Sequence, residues 1–189
     1  MPRLDPRTTA LVLIDLQQGI VPMAGGQRTG EEVVTAARAL AARFRHAGAP
    51  VVLVHVSVTP GAMPSQNVDK PGFPPGGTPP EFSELVPGLQ QAGDVVVLKH
   101  HWGAFTGTDL DLQLRRRGVR TVVIGGIATN MGVESTARSA WELSYDVVIA
   151  EDASASRSAE LHRFAIDNIL PMIARVVQAE DIDFATTGA

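Results

Sequence analysis

Short apolar blocks, rich in valine and isoleucine, recur along the chain at residues 9–14, 50–58, 95–98, 121–124 and 146–150. None alternates apolar with polar positions, so each predicts a strand buried on both faces rather than one with a wet side. Between them run stretches of helical spacing at 31–47, 109–117, 131–143 and 158–173, most of them followed by glycine or a polar turn. Strand alternating with helix predicts βαβ units, whose right-handed crossovers put helices on both sides of a twisted parallel sheet. A short block at 175–178 predicts a sixth strand at the sheet edge. The expected architecture is an α/β fold, a three-layer α/β/α sandwich around a six-stranded parallel sheet, and 189 residues fit a single domain, 1–189. The stretch 59–80 breaks the rhythm, holding seven of the thirteen prolines and neither period. A loop of that length predicts a lid, a binding loop or a subunit contact. The tail 186–189 is expected to fray.

In such sheets ligands bind beyond the carboxyl ends of the strands. Here the residues that follow the apolar blocks are chemically active ones: Asp15 after the first, Lys99-His100-His101 after the third, Gly125-Gly126-Ile127-Ala128-Thr129 after the fourth and Glu151-Asp152 after the fifth. A carboxylate and an ammonium on buried strand tips are each costly to desolvate alone and less so together, which predicts a close pair between Asp15 and Lys99. On residues alone, the competing reading is a structural ion pair or two solvated strand ends, and either residue taken singly favours it. The fourth block passes through VVIGGIATNMGVESTARSAWE into a helix whose first turn contains Gly132. Amides at a helix start lack partners and can hold a carboxylate or a developing oxyanion, and glycine lets a ligand come close to the main chain. A nucleotide-binding turn is also compatible, although neither GxGxxG nor GxxxxGK[ST] is present.

Composition narrows the choice. A net charge of -4, with no basic face beyond the run Arg115, Arg116, Arg117, argues against nucleic acid, and that run suits the last turn of a helix. The absence of cysteine excludes disulfides, thiolate metal sites and thiol catalysis. Apolar runs are strand-sized and the start MPRLDPRTTALVLID lacks a signal-peptide pattern, so no membrane partner and a cytoplasmic location are expected.

The segments TALVLIDLQQGI, VVVLKHHWGAFTGTDLDLQLRRRGV and VVIGGIATNMGVESTARSAWELSYDVVIAEDASAS, in this order and spacing, resemble the isochorismatase-like hydrolases. That family includes nicotinamidases and carbamoylsarcosine-type amidohydrolases, and the resemblance covers nearly the whole chain. It implies the family's Rossmann-like fold and a hydrolase. The family's triad of strand-end Asp, strand-end Lys and helix-start Cys carries over at Asp15 and Lys99, but Gly132 occupies the cysteine position. The acyl-thioester route to amides is then closed. Isochorismatases proper have glycine at this place and cleave a vinyl ether without a covalent intermediate. The resemblance therefore implies that protonated Asp15 gives its proton to the enol-ether carbon and that water captures the oxocarbenium ion, releasing pyruvate and a dihydroxy acid. Lys99 would orient Asp15 and bind the substrate carboxylate. A neighbouring ammonium lowers a carboxyl pKa, whereas a general acid at neutral pH needs it raised, so burial or substrate charge must outweigh the pair. The resemblance also implies a cis peptide between Ile127 and Ala128, with the amides of Ala128 and Gly132 forming a backbone cradle.

Two positions depart from isochorismatases: a Gln after the second strand is Thr59 here, and an aromatic residue in the turn is Ala128. The identity of the small carboxylated substrate stays open. Substrate contacts are expected from Gln18 at the rim, Thr59, Ile127, one of His100 and His101, Trp102 and Phe105, with core packing as the competing role for Phe105. Nicotinamidase-type members hold a metal through Asp and His residues soon after the second strand, whereas that stretch here has Asp69 and no His, so no metal and no cofactor is expected. His55 is expected as a packed imidazole, His46 and His162 at the surface, Glu134 and Arg138 as a surface pair, and Asp152 as a cap on the connection to the last helix. Thr129 and Ser135, the hydroxyls nearest the missing thiol, lack a base at triad spacing. Beside the Cys-less hydrolase stands an alternative, a catalytically lapsed thiol amidohydrolase serving as a small-molecule-binding or structural homo-oligomer. A Rossmann-like cofactor protein is disfavoured by the missing phosphate fingerprint. A homodimer or homotetramer is expected from the resemblance.

Overall fold

Every residue of the first strand, β1 (Thr9–Ile14), is buried because alternate side chains enter two different cores. Leu11 and Leu13 pack with Val33, Ala37, Leu40 and Phe44, while Ala10, Val12 and Ile14 pack with Leu110, Val133 and Ala137 on the opposite face. An apolar block without alternation is what two such cores require. The computed structural model describes residues 3–59, 67–74 and 76–185. The remaining strands are β2 (Val51–Val56), β3 (Val95–Lys99), β4 (Thr121–Ile127), β5 (Asp146–Ala155) and β6 (Arg175–Val177). They form one parallel sheet in the order β3-β2-β1-β4-β5-β6. Helix α1 (Gly30–His46) covers one face, opened by a capping box between Thr29 and Glu32. Helices α2 (Leu110–Arg115) and α3 (Glu134–Glu142) cover the other, completing a three-layer α/β sandwich.

Several boundaries differ from the sequence expectation. β2 begins at Val51 rather than at Pro50, which has no N–H for the ladder. β3 is buried on one face only: it is the sheet edge, and Val96 and Leu98 remain 40% and 46% exposed. Gly125 and Gly126 lie inside β4, and Glu151 and Asp152 lie inside β5, so neither set is a post-strand turn. The register passes from Ile124↔Ile149 to Gly126↔Ser154, an irregularity that absorbs extra residues of β5 and re-aims its carboxyl end. Gly126 has φ 130, and a Cβ there would meet the Ile14 carbonyl oxygen at 2.1 Å, so only glycine allows β4 to lie this close to β1. The helix expected at 158–173 is broken into α4 (Ala159–Phe164), a π turn (Ala165–Ile169) and a 3-10 turn (Leu170–Met172) containing Pro171.

Of the proline-rich stretch, residues 60–66 and 75 lie outside the described ones, as does the tail 186–189. Its end is tied back to the segment that follows β2: Thr78 N–H donates to Val58 O at 3.0 Å, and Phe73 packs edge-on against Phe82. Among the described residues, no helix is long and apolar enough to cross a membrane. Strand order reverses between β1 and β4, and the crevice at their carboxyl ends is where an open parallel sheet offers a binding site.

Candidate active site

Asp15 leaves β1 directly into this crevice. Its backbone is left-handed, φ 52, and its N–H donates to Val54 O at 2.8 Å. A left-handed non-glycine residue is sparsely populated, and such residues gather at functional sites. Lys99, the last residue of β3, shares a face with Val97 and is only 2% exposed. Its Nζ donates to Asp15 Oδ2 at 2.8 Å and to the His101 carbonyl at 3.0 Å. The other carboxyl oxygen, Oδ1, is buried with no hydrogen-bond partner among the described residues. Burial pushes the Asp15 carboxyl up to about 6, against the opposing charge and hydrogen bond of Lys99 and the charge of His55. The competition anticipated from sequence is therefore decided by desolvation.

β4 continues through a cis peptide between Ile127 and Ala128 into a π turn (Thr129–Val133) that runs into α3. Pi turns inside helices occur frequently at functional sites. Met131 and Val133 donate to the Ala128 carbonyl at 3.1 and 3.2 Å. Gly132 is buried in this turn, and a Cβ on it would lie 3.2 Å from Asp15 Oδ2, 2.9 Å from Ile14 Cγ2 and 3.5 Å from the Trp102 carbonyl oxygen. The bare main chain of the turn and the carboxyl of Asp15 thus face one another. Thr136 Oγ1 donates to Gly132 O at 2.6 Å and accepts from Ala104 N at 3.1 Å, tying α3 to the loop after Lys99.

A second polar network holds the turn from below. Ser156 Oγ donates to Asn130 Oδ1. Thr129 Oγ1 meets His162 Nδ1 at 2.8 Å, and His162 Nε2 meets Glu151 Oε1 at 3.0 Å. Arg28 donates to both Glu151 oxygens at 2.8 and 2.9 Å, and Gln178 Nε2 donates to Oε2 at 2.9 Å. Burial works to raise the Glu151 carboxyl, but hydrogen bonds from Arg28, Gln178 and His162 with the Arg28 charge outweigh it and hold it at about 2. Burial pulls the His162 pKa down, partly countered by Glu151.

The residues expected around the pair meet different fates. Trp102 brings its carbonyl beside Gly132, while its side chain is exposed. His101 contributes its carbonyl to Lys99 with an exposed ring, and the half-buried His100 sets Nδ1 against Ser57 O at 3.0 Å. Gln18 is exposed and donates to Glu84 Oε2 at 2.8 Å, and Thr59 is exposed at the last described position before the gap. Ile127, expected as a substrate contact, instead buries its side chain in the core beneath α1. Phe105 takes the packing role, against Tyr145 at 5.8 Å between ring centroids. His162, expected at the surface, is 1% exposed, because α4 turns it inward onto Thr129 and Glu151. Asp152 caps a different segment from the one expected, accepting from Ala179 N at 2.6 Å after β6. His55 is half-buried with Nδ1 on Ser83 O at 2.7 Å, His46 is exposed, and Glu134 pairs with Arg138 on the α3 surface.

Sequence reading missed Gln17, Arg28 and the joint role of Glu151 and His162. Gln17 is fully buried and cross-links three segments: its side-chain amide donates to Val56 O and Phe82 O, and its Oε1 accepts from Val56 N. For His162 a signal existed, since it stands three, four and seven residues before Ala165, Ile166 and Ile169 on the inward side of its helical stretch. Among the described residues, no group of three or more His, Cys, Asp and Glu is placed to hold a metal ion.

Comparison with known proteins places the chain in a family. The isochorismatase domain model matches residues 9–181. The isochorismatase family protein YecD of Escherichia coli O157:H7 is 52% identical over 186 residues, covering 96% of this chain and 98% of that one. The ureidoacrylate amidohydrolase RutB of Methylobacterium radiotolerans is 34% identical, covering 88% of this chain and 74% of its own length. The solved structure of an isochorismatase family protein from Burkholderia thailandensis superposes with a TM-score of 0.90 at 46% identity, covering 96% of each chain. With the domain matched nearly end to end and the same sheet in a solved relative, the chain belongs to the isochorismatase family of hydrolases.

Proposed function

We propose that this hydrolase cleaves the vinyl ether of a small carboxylated substrate of the isochorismate type, with Asp15 as general acid, Lys99 as its partner and no covalent intermediate. The observation that carries the proposal is the asymmetry of the Asp15 carboxyl: Oδ2 is occupied by Lys99, whereas Oδ1 is buried, unpartnered and free to carry a proton. With its pKa raised to about 6, a usable fraction is protonated near neutrality, and a bound anionic substrate would raise it further. Asp15 transfers that proton to the terminal carbon of the enol ether, and the ether oxygen supplies electrons to form an oxocarbenium ion. Water adds to this cation and returns a proton to the Asp15 carboxylate. The resulting hemiketal breaks its carbon–oxygen bond to give pyruvate and a dihydroxy acid. We read Gly132 as standing where thiol members of the family carry cysteine; a Cβ there would meet Ile14 Cγ2 at 2.9 Å and Asp15 Oδ2 at 3.2 Å, so the bare main chain is what lets the turn lie this close to the acid.

The direct test is pyruvate release from isochorismate, run beside a panel of small amides. Pyruvate release that Asp15→Asn abolishes while the variant still binds the substrate supports the reading; release that survives this substitution, or turnover of amides alone, overturns it. The likeness to an amidohydrolase keeps a second reading in view, a lapsed thiol enzyme whose pocket still binds small molecules. Such a binder would be little affected by Asp15→Asn.

A further inference from the structure

We propose that His162 is a positioning residue, which fixes the π turn carrying Gly132 against Asp15 by accepting a hydrogen bond from the Thr129 hydroxyl. This rests on the reading of Asp15 and Gly132 given above. The carboxylate of Glu151 has only acceptor oxygens, so His162 Nε2 must carry the hydrogen of that 3.0 Å contact. In the neutral ring Nδ1 is then bare, and Thr129 Oγ1 at 2.8 Å must donate to it. Burial favours that neutral form.

Glu151 is immobilised by Arg28 and Gln178, so the orientation of the imidazole is set by a rigid anchor. Thr129 is fully buried and begins the turn, Asn130 beside it is held by Ser156, and Gly132 follows two residues later, where an added Cβ would lie 3.2 Å from Asp15 Oδ2. A chain of polar contacts therefore runs from the entry of α1 through β5 and α4 to the main chain facing the acid. None of its side chains needs to touch substrate. Its effect is on where the cradle sits, and a displacement of about 1 Å can change a rate by about 100-fold.

Two pairs of substitutions separate position from bulk. Thr129→Ser keeps the hydroxyl and Thr129→Val removes it at nearly constant volume. His162→Asn puts an amide oxygen near the place of Nδ1, whereas His162→Gln reaches toward Glu151 and deserts Thr129. Pyruvate release should show Thr129→Ser and His162→Asn within about 3-fold of wild-type kcat, and Thr129→Val and His162→Gln lower by about 10- to 100-fold with little change in KM. The amide resonance of Gly132 should move in the second member of each pair and stay in the first. Equal effects within each pair, in rate and in resonance, overturn the proposal. Should the wild type release no pyruvate, the mechanistic reading fails, and the Gly132 resonance alone still decides whether His162 positions the turn.

Discussion

Lys99 reaches across β2 to bind Asp15 Oδ2 at 2.8 Å, with both side chains almost wholly inside the protein. Removing one member of a buried pair leaves the other charge without compensation, at a cost of about 3–5 kcal/mol. Lys99→Met should therefore destabilise the protein strongly at pH 8, and less at pH 5, where Asp15 escapes by taking up a proton. Urea unfolding at the two pH values checks this, and an equal loss at both would contradict a coupled pair.

The raised pKa of Asp15 gives two pH dependences with definite signs. In the unfolded chain the carboxyl titrates near its ordinary value of 3.8, and in the folded protein at about 6. Between those values the folded state binds more protons, so the Asp15 contribution to stability falls as pH rises through this window and is level above it. Asp15→Asn should flatten that segment of a stability profile. For catalysis the acid must be protonated, so the wild-type kcat/KM should drop about tenfold per pH unit on the alkaline side of the free enzyme's pKa. A rate independent of pH from 5 to 9 would remove Asp15 from the role of acid.

At Gly132 a Cβ would crowd Ile14 Cγ2 at 2.9 Å and stand 3.2 Å from Asp15 Oδ2. Gly132→Cys should cost about 1–3 kcal/mol of stability through overpacking and lower pyruvate release at least about tenfold by pushing the turn away from Asp15. No amide turnover is expected from it. If the variant hydrolyses an amide that the wild type ignores, the scaffold is a lapsed thiol hydrolase.

Glu151 provides a prediction at the acid end. Its folded pKa lies at about 2, below its ordinary 4.5, so the stability it contributes is complete above that ordinary value and is lost as pH falls toward 2. Glu151→Gln should lower stability at pH 7 by about 2 kcal/mol, the scale of a charge-assisted hydrogen bond left unmade, and the deficit should vanish near pH 2. Chemical denaturation across that range measures it. A constant deficit would mean that shape, not charge, holds the Arg28 and His162 contacts.

Much of the fold was legible because hydrophobic periodicity is a local property. β1 is matched residue for residue, and the reactive tips Asp15 and Lys99 stand out because nothing in a buried strand calls for a charge. The misplacements share one origin: burial of Val96 and Leu98 depends on whether a neighbour covers an edge strand, and the length of β5 depends on a register shift against β4. Neither is written in the local pattern.

The sequence by itself determined the alternation of strand and helix, the absence of a thiol, and which strand ends carry the acid and the ammonium. Tertiary structure alone decided that residues 84 positions apart meet at 2.8 Å, that burial wins over the ammonium in setting the acid, and that His162 turns inward to Thr129, 33 positions away. The physical reason is that contact and desolvation depend on what surrounds a group in space, and a chain specifies its surroundings only once it is folded.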